Sequence, residues 1–143
     1  MQVVNGDAGE RLNVLGADVV LKTAGAVVLV VDHSFPPGYA VPPHVHEAED
    51  EMFYILAGEM TFESEGRVIV AGEGAFVRLP RGKVHTFRNE SGRAARALVI
   101  ASPGAGMNGI FRGLDAAGRA GALDGPRIGA IAAAHKVHMV FGA

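Results

Sequence analysis

"GYAVPPHVHEAEDEMFYILAG", Gly38 to Gly58, is the stretch on which the reading of this chain turns. His44 and His46 stand one residue apart and are followed at once by Glu47, Glu49, Asp50 and Glu51, in a chain of which only 20% is charged. Either a metal ion gathers this cluster or it lies along a solvated turn. In an extended segment alternate side chains share a face, so His44 and His46 project together while Val45 points away. Pro42 and Pro43 stiffen the segment just upstream. Glu51 has the opposite parity to the two histidines, so a turn or bulge within "EAED" is needed to bring it back to their side. From there Phe53 and Ile55 share its face, which sets a carboxylate at the end of an apolar interior row. A buried carboxylate without a partner is costly or protonated. A divalent cation supplies the partner.

A second stretch, "GAFVRLPRGKVHTFRN" from Gly74 to Asn89, adds a third imidazole. The Pro80 to Gly82 turn precedes a strand bearing His85, with Phe87 on the same face. A lone histidine beside an apolar residue is more often a satisfied core histidine than a ligand, and it is the first cluster that reverses the odds.

Around these stretches, 20 glycines and 7 prolines cut the chain into short pieces, many rich in Val, Ile and Phe. Such punctuation predicts β-structure with tight turns. Strands are expected at Asp18–Thr23, Ala26–His33, Glu51–Leu56, Glu59–Glu63, Arg67–Val70, Ala75–Arg78, Val84–Arg88 and Ala94–Ala101. A succession of short antiparallel strands points to an all-β barrel or jelly roll. After Pro103 the chain turns Ala-rich, and two short C-terminal helices are expected, with Pro126 in a first turn and Gly142 after the end. At 143 residues, one domain is expected, a barrel over about 12–101 with a helical cover over about 106–141.

The bulk numbers exclude several partners. A formal charge of −2 with scattered basic residues leaves no footprint for nucleic acid. The longest apolar run, Ala26 to Val31, falls far below the roughly 20 residues that span a bilayer, so no membrane partner is expected. The absence of cysteine rules out disulfides and thiolate metal sites, and a cytoplasmic protein is expected.

The two stretches resemble the cupin superfamily. The first fits the motif G(X)5HXH(X)4E(X)6G through Gly38, His44, His46, Glu51 and Gly58; the second fits G(X)5PXG(X)2H(X)3N through Gly74, Pro80, Gly82, His85 and Asn89. Fifteen residues separate Gly58 from Gly74. The resemblance implies a double-stranded β-helix, the cupin jelly-roll barrel, holding one divalent transition metal per chain through His44, His46, Glu51 and His85. The ion would be Fe, Ni, Mn, Co, Zn or Cu, because imidazole and carboxylate ligands suit all of them. Three imidazoles and a carboxylate leave one or two positions open for a substrate or dioxygen.

The wording "HVHEAEDEMFYILAGEMTFESEGR" with its Ala-rich tail is similar to quercetin 2,3-dioxygenase-like cupins. That implies a dioxygenase acting on a small aromatic or enolizable substrate. In such an enzyme Glu51, the one ligand with a second oxygen, would also take the substrate proton. The alternative is a cupin that binds a sugar or organic acid as an isomerase, sensor or binding protein, since the fold alone selects no reaction. Phe53 and Phe87 share faces with Glu51 and His85, and with Met107 and Phe111 they are candidates for a substrate pocket. Glu47, Glu49 and Asp50 read as a solvated turn, with Glu49 or Asp50 as substitutes for Glu51 among the ligands. His33, His135 and His138 fit no motif and read as structural or exposed, and Arg78 and Arg81 as surface residues near the rim. A homodimer is expected, with the strand "DVVLKT" adding to a neighbour's sheet or covering its own.

Overall fold

The computed structural model describes residues 1–140. Among them, ten strands precede two helices and an eleventh strand follows: β1 (Glu10–Val14), β2 (Ala17–Ala24), β3 (Leu29–Phe35), β4 (His44–His46), β5 (Asp50–Ala57), β6 (Glu59–Ser64), β7 (Arg67–Gly72), β8 (Phe76–Leu79), β9 (His85–Arg88), β10 (Ala95–Ser102), α1 (Ala105–Arg119), α2 (Gly125–Ala133) and β11 (Val137–Met139). They form two antiparallel sheets, one of six strands in the order β1-β2-β3-β10-β5-β8 and one of five in the order β11-β4-β9-β6-β7. The chain crosses repeatedly between the sheets, which is the double-stranded β-helix expected from the sequence.

Alternation decides which side chains enter the barrel. Along β3 the buried set is Leu29, Val31, His33 and Phe35, along β5 it is Glu51, Phe53 and Ile55, and along β10 it is Ala95, Ala97, Val99 and Ala101. The central strand β10 thus carries small residues where its neighbours carry large ones: Ala97 pairs with His33 and Ile55, and Ala101 with Leu29 and Glu51. Phe35, Phe53, Phe62 and Phe87 fill the resulting space with edge-to-face and tilted contacts at centroid distances of 4.9–6.4 Å. Such pairs add to the stabilisation that ring burial itself provides.

The motif residues hold the two sheets in register. Gly58 turns the chain from β5 to β6 at φ 71°, where a Cβ would lie 2.7 Å from the Ala94 carbonyl oxygen, so only glycine fits. Gly82 donates its backbone N–H to the His46 carbonyl at 2.8 Å, tying the Pro80–Gly82 turn to the strand of the first two histidines. Asn89, 1% exposed, donates to the carbonyls of Phe35 and Arg93. Each is a fixed position of the motif, and each closes a backbone contact.

The tail departs from expectation in one respect. After α2 the chain returns to extended structure as β11, which pairs with β4 so that Val137 faces His46 and Met139 faces His44. α1 packs over the barrel through buried Met107, Ile110, Phe111 and Leu114, and is anchored where Asp115 accepts the backbone N–H of Asn13 at 2.8 Å. Its glycines are spaced for contact: the His135 ring lies where a Cβ of Gly109 would be and Ile131 where one of Gly113 would be. Asp124 caps α2 by accepting from the Arg127 N–H, with Pro126 in the first turn. Val140, expected in the cover, is 40% exposed, and its backbone N–H donates to the Pro43 carbonyl. The end of the expected cover at Phe141 and the expected terminator Gly142 lie outside the described residues.

Two further corrections concern the strands. β1 lies outside the predicted set, and because β2 is paired on one side with β1 and on the other with β3, "DVVLKT" has no free edge. β3 begins at Leu29 rather than Ala26, since Gly25 to Val28 forms the bend into which Gly104 packs.

Candidate metal centre

β4 presents His44 and His46 to the interior with Val45 turned outward, and the bend at Glu47–Ala48 restores the parity that brings Glu51 alongside them at the start of β5. β9 supplies His85, paired directly opposite His44. All four side chains are buried, and one ligand atom from each lies within 4.8 Å of the others. Glu51 Oε2 sits 3.0 Å from His46 Nε2 and 3.5 Å from His85 Nε2. These three atoms are buried without a hydrogen-bond partner among the described residues. Convergent, orphaned acceptor atoms in an apolar interior are what a divalent cation satisfies, so the donor set fits the metal.

The outer nitrogens of two ligands are fixed by the chain. His44 Nδ1 donates to the Pro42 carbonyl at 2.8 Å and His46 Nδ1 to Glu49 Oε1 at 2.9 Å, which leaves both Nε2 atoms facing inward. This arrangement orients a ligating imidazole and raises its basicity. Glu49 therefore corrects the reading of a solvated acidic turn: it is 2% exposed, and its other oxygen presses on α1 where a Cβ of Gly106 would stand, 2.8 Å away. Asp50 is also paired rather than free, accepting from Arg81 N–H at 2.9 Å and from the side chains of Arg78 and Arg81 at 3.3 Å. Both arginines are exposed and are absent from the cavity wall. Glu47 meets His138 Nε2 at 2.8 Å on the surface, and His135 packs on α1.

Protonation follows from this geometry. Burial and the neighbouring His85 push His44 down to about 4. Burial also depresses His46, but its hydrogen bond to Glu49 and the nearby Glu51 carboxylate outweigh that and raise it to about 9. Burial would raise Glu51, yet the His46 and His85 rings beside it hold it well below the usual carboxylate range. That direction favours the carboxylate, the form that ligates a metal.

Above the cluster lies a cavity of about 60 Å³ bounded by the barrel and by α1, α2 and β11. Phe53, Phe87, Met107 and Phe111 are all in its wall. His33, read from sequence as structural or exposed, lines it as well and is 3% exposed. Its signal in the sequence was parity: it shares the interior face of β3 with Val31 and Phe35.

Residues 31–101 match the family described as "Cupin domain". The chain is 34% identical over 70 residues to a quercetin 2,3-dioxygenase of Bacillus subtilis, covering 49% of this chain and 21% of that protein. It is 37% identical over 65 residues to an oxalate-binding protein of Thermotoga maritima, covering 46% and 54%. The chain thus spans from about a fifth to about half the length of these curated relatives. Among solved structures, the polyketide cyclase RemF from Streptomyces resistomycificus superposes with a TM-score of 0.62 at 27% identity, over 72% of this chain and 80% of that one. No helix among the described residues is long and apolar enough to cross a membrane.

Proposed function

The chain is a small cupin, and from that premise we propose that it is a metal-dependent dioxygenase acting on a small aromatic or enolizable compound. One observation carries the reading: the buried three-histidine, one-carboxylate cluster opens onto an apolar cavity walled by aromatic rings. Such a site excludes water from an oxidisable substrate and leaves few polar groups to compete for it. His44, His46, Glu51 and His85 would hold one divalent transition metal. The ion would supply Lewis-acid polarisation of a substrate oxygen.

The chain's own residues do the rest. The imidazoles are not placed to accept a substrate proton: their Nε2 atoms would face the ion, the outer nitrogens of His44 and His46 already donate to Pro42 and Glu49, and His85 is absent from the cavity wall. Glu51 has a second oxygen. With Oε2 directed at the histidines, Oε1 is free to take the proton of a substrate hydroxyl, so Glu51 both ligates and acts as the base. Phe53 and Phe87 position the substrate's apolar body.

The cavity volume favours a second reading. At one water-sized group per roughly 10–15 Å³, about 60 Å³ takes only a handful of non-hydrogen atoms. A flavonol exceeds that space, whereas a short organic acid is nearer its size. Oxygen uptake by protein reloaded separately with Fe, Ni, Co and Mn, measured across flavonols and smaller enolizable compounds, separates the two. Uptake with at least one metal and substrate is expected. Its absence throughout, together with tight binding of short acids, would leave a binding or isomerising cupin.

A further inference from the structure

Among the described residues, and apart from the metal ligands, only His33 and Tyr39 of the cavity wall carry side-chain nitrogen or oxygen atoms. Tyr39 commits its proton to the Val14 carbonyl at 3.3 Å. His33 is placed differently. Its Nδ1 lies 3.0 Å from the Ser34 carbonyl oxygen, and a carbonyl only accepts, so Nδ1 carries the hydrogen and Nε2 of the neutral ring carries a lone pair. No donor to that lone pair exists among the described residues. The ring cannot swing away, because it stacks on Phe35 at 4.0 Å and 7° and meets Tyr39 and Phe111 edge-on at 5.8 and 6.1 Å. A histidine kept only for packing would satisfy both nitrogens or give way to an apolar side chain of similar size. Here the unpartnered nitrogen of a buried ring is held rigid in a residue of the cavity wall.

We propose that His33 is a specificity residue whose Nε2 accepts a hydrogen bond from the far end of the ligand. The ligand is then a short molecule with three parts in line: an anionic or enolic oxygen for the metal, an apolar or unsaturated body against Phe53 and Phe87, and a hydroxyl or N–H that meets His33. The assignment rests on the preceding reading that this cavity holds a ligand over the metal. It adds a rule for choosing among substrates, since a compound lacking the donor leaves Nε2 unpaired and should bind at least about tenfold more weakly than its hydroxylated counterpart.

The test uses the full chain loaded with zinc, which is redox-inert, so that no oxygen chemistry intervenes. Two matched pairs of probes differ only in a terminal hydroxyl against a methyl group: 3-hydroxypropanoate with butanoate, and 4-hydroxybutanoate with pentanoate. Isothermal titration should show the hydroxylated member preferred by about tenfold or more at one chain length. In His33→Phe that preference should fall below about twofold or invert, with zinc content unchanged, while His33→Gln, whose amide oxygen also accepts, should keep part of it. Nitrogen-15 spectra of the wild-type imidazoles give a readout that no variant's folding affects: the His33 Nε2 resonance should move with the hydroxylated probe and not with its methyl partner. No preference at either length, a preference that survives in His33→Phe, an unmoved Nε2 resonance, or failure of all four probes to bind would each overturn the assignment. If the preference appears but no metal supports oxygen uptake, the dioxygenase reading fails and His33 keeps its role. Oxygen uptake without the preference overturns His33 alone.

Discussion

Glu51 and Glu49 sit two residues apart and do different work. Glu51 Oε2 faces His46 and His85, whereas Glu49 reaches only the outer nitrogen of His46. Glu51→Gln nearly keeps the shape and loses the charge, so it should lower turnover far more than metal content, whereas His85→Ala should lower both together. Steady-state rates beside elemental analysis check this, and a metal-loaded Glu51→Gln enzyme with wild-type turnover would move the base elsewhere. Glu49→Ala removes the carboxylate that orients His46, and loss of such a partner typically weakens metal binding by about 10–100-fold. Competition with a chelator measures it, and unchanged affinity would reduce Glu49 to packing against Gly106. Glu51 was legible in the sequence because motif spacing and the apolar row behind it agree. Glu49 was not, because an acidic run reads as solvated unless one asks which acceptor holds each histidine's second nitrogen.

At the scale of elements, the tail is part of the site. α1 buries Met107, Ile110, Phe111 and Leu114, and β11 extends the sheet beside the histidine strand. Each such side chain contributes about 1.5–3 kcal/mol, against a whole-protein stability of about 5–15 kcal/mol. A chain ending at Ser102 should therefore melt at least ~10 °C lower or fail to fold, and an unchanged melting temperature by calorimetry would show the tail to be loose. The strands between Asp50 and Ser102 were legible within one or two residues because alternation and glycine turns coincide there. β11 escaped because Val137 and Met139 give too short an alternation to stand out after an Ala-rich helix. β1 has its alternation in Leu12 and Val14, but only five residues of it. The tail's glycines read as helix breakers until Gly109 and Gly113 are seen admitting His135 and Ile131.

For the whole molecule, the homodimer expected from "DVVLKT" needs another surface, since β2 is paired on both sides. The candidate is the end of the barrel where edge strands β7 and β8 expose Val68, Val70 and Phe76 at 57–62%. We propose a two-fold dimer closed there. Light scattering should give twice the 14.8 kDa chain mass, and a monomer at micromolar concentration would contradict it. Everything else in the account depends on the ion. Four buried ligand atoms lie within 4.8 Å of one another, and three of them lack a hydrogen-bond partner among the described residues. Elemental analysis of the purified chain after metal loading and desalting should find one transition-metal ion per chain, and less than about a tenth of that in His46→Ala and in His85→Ala. Full occupancy in both variants would contradict the account.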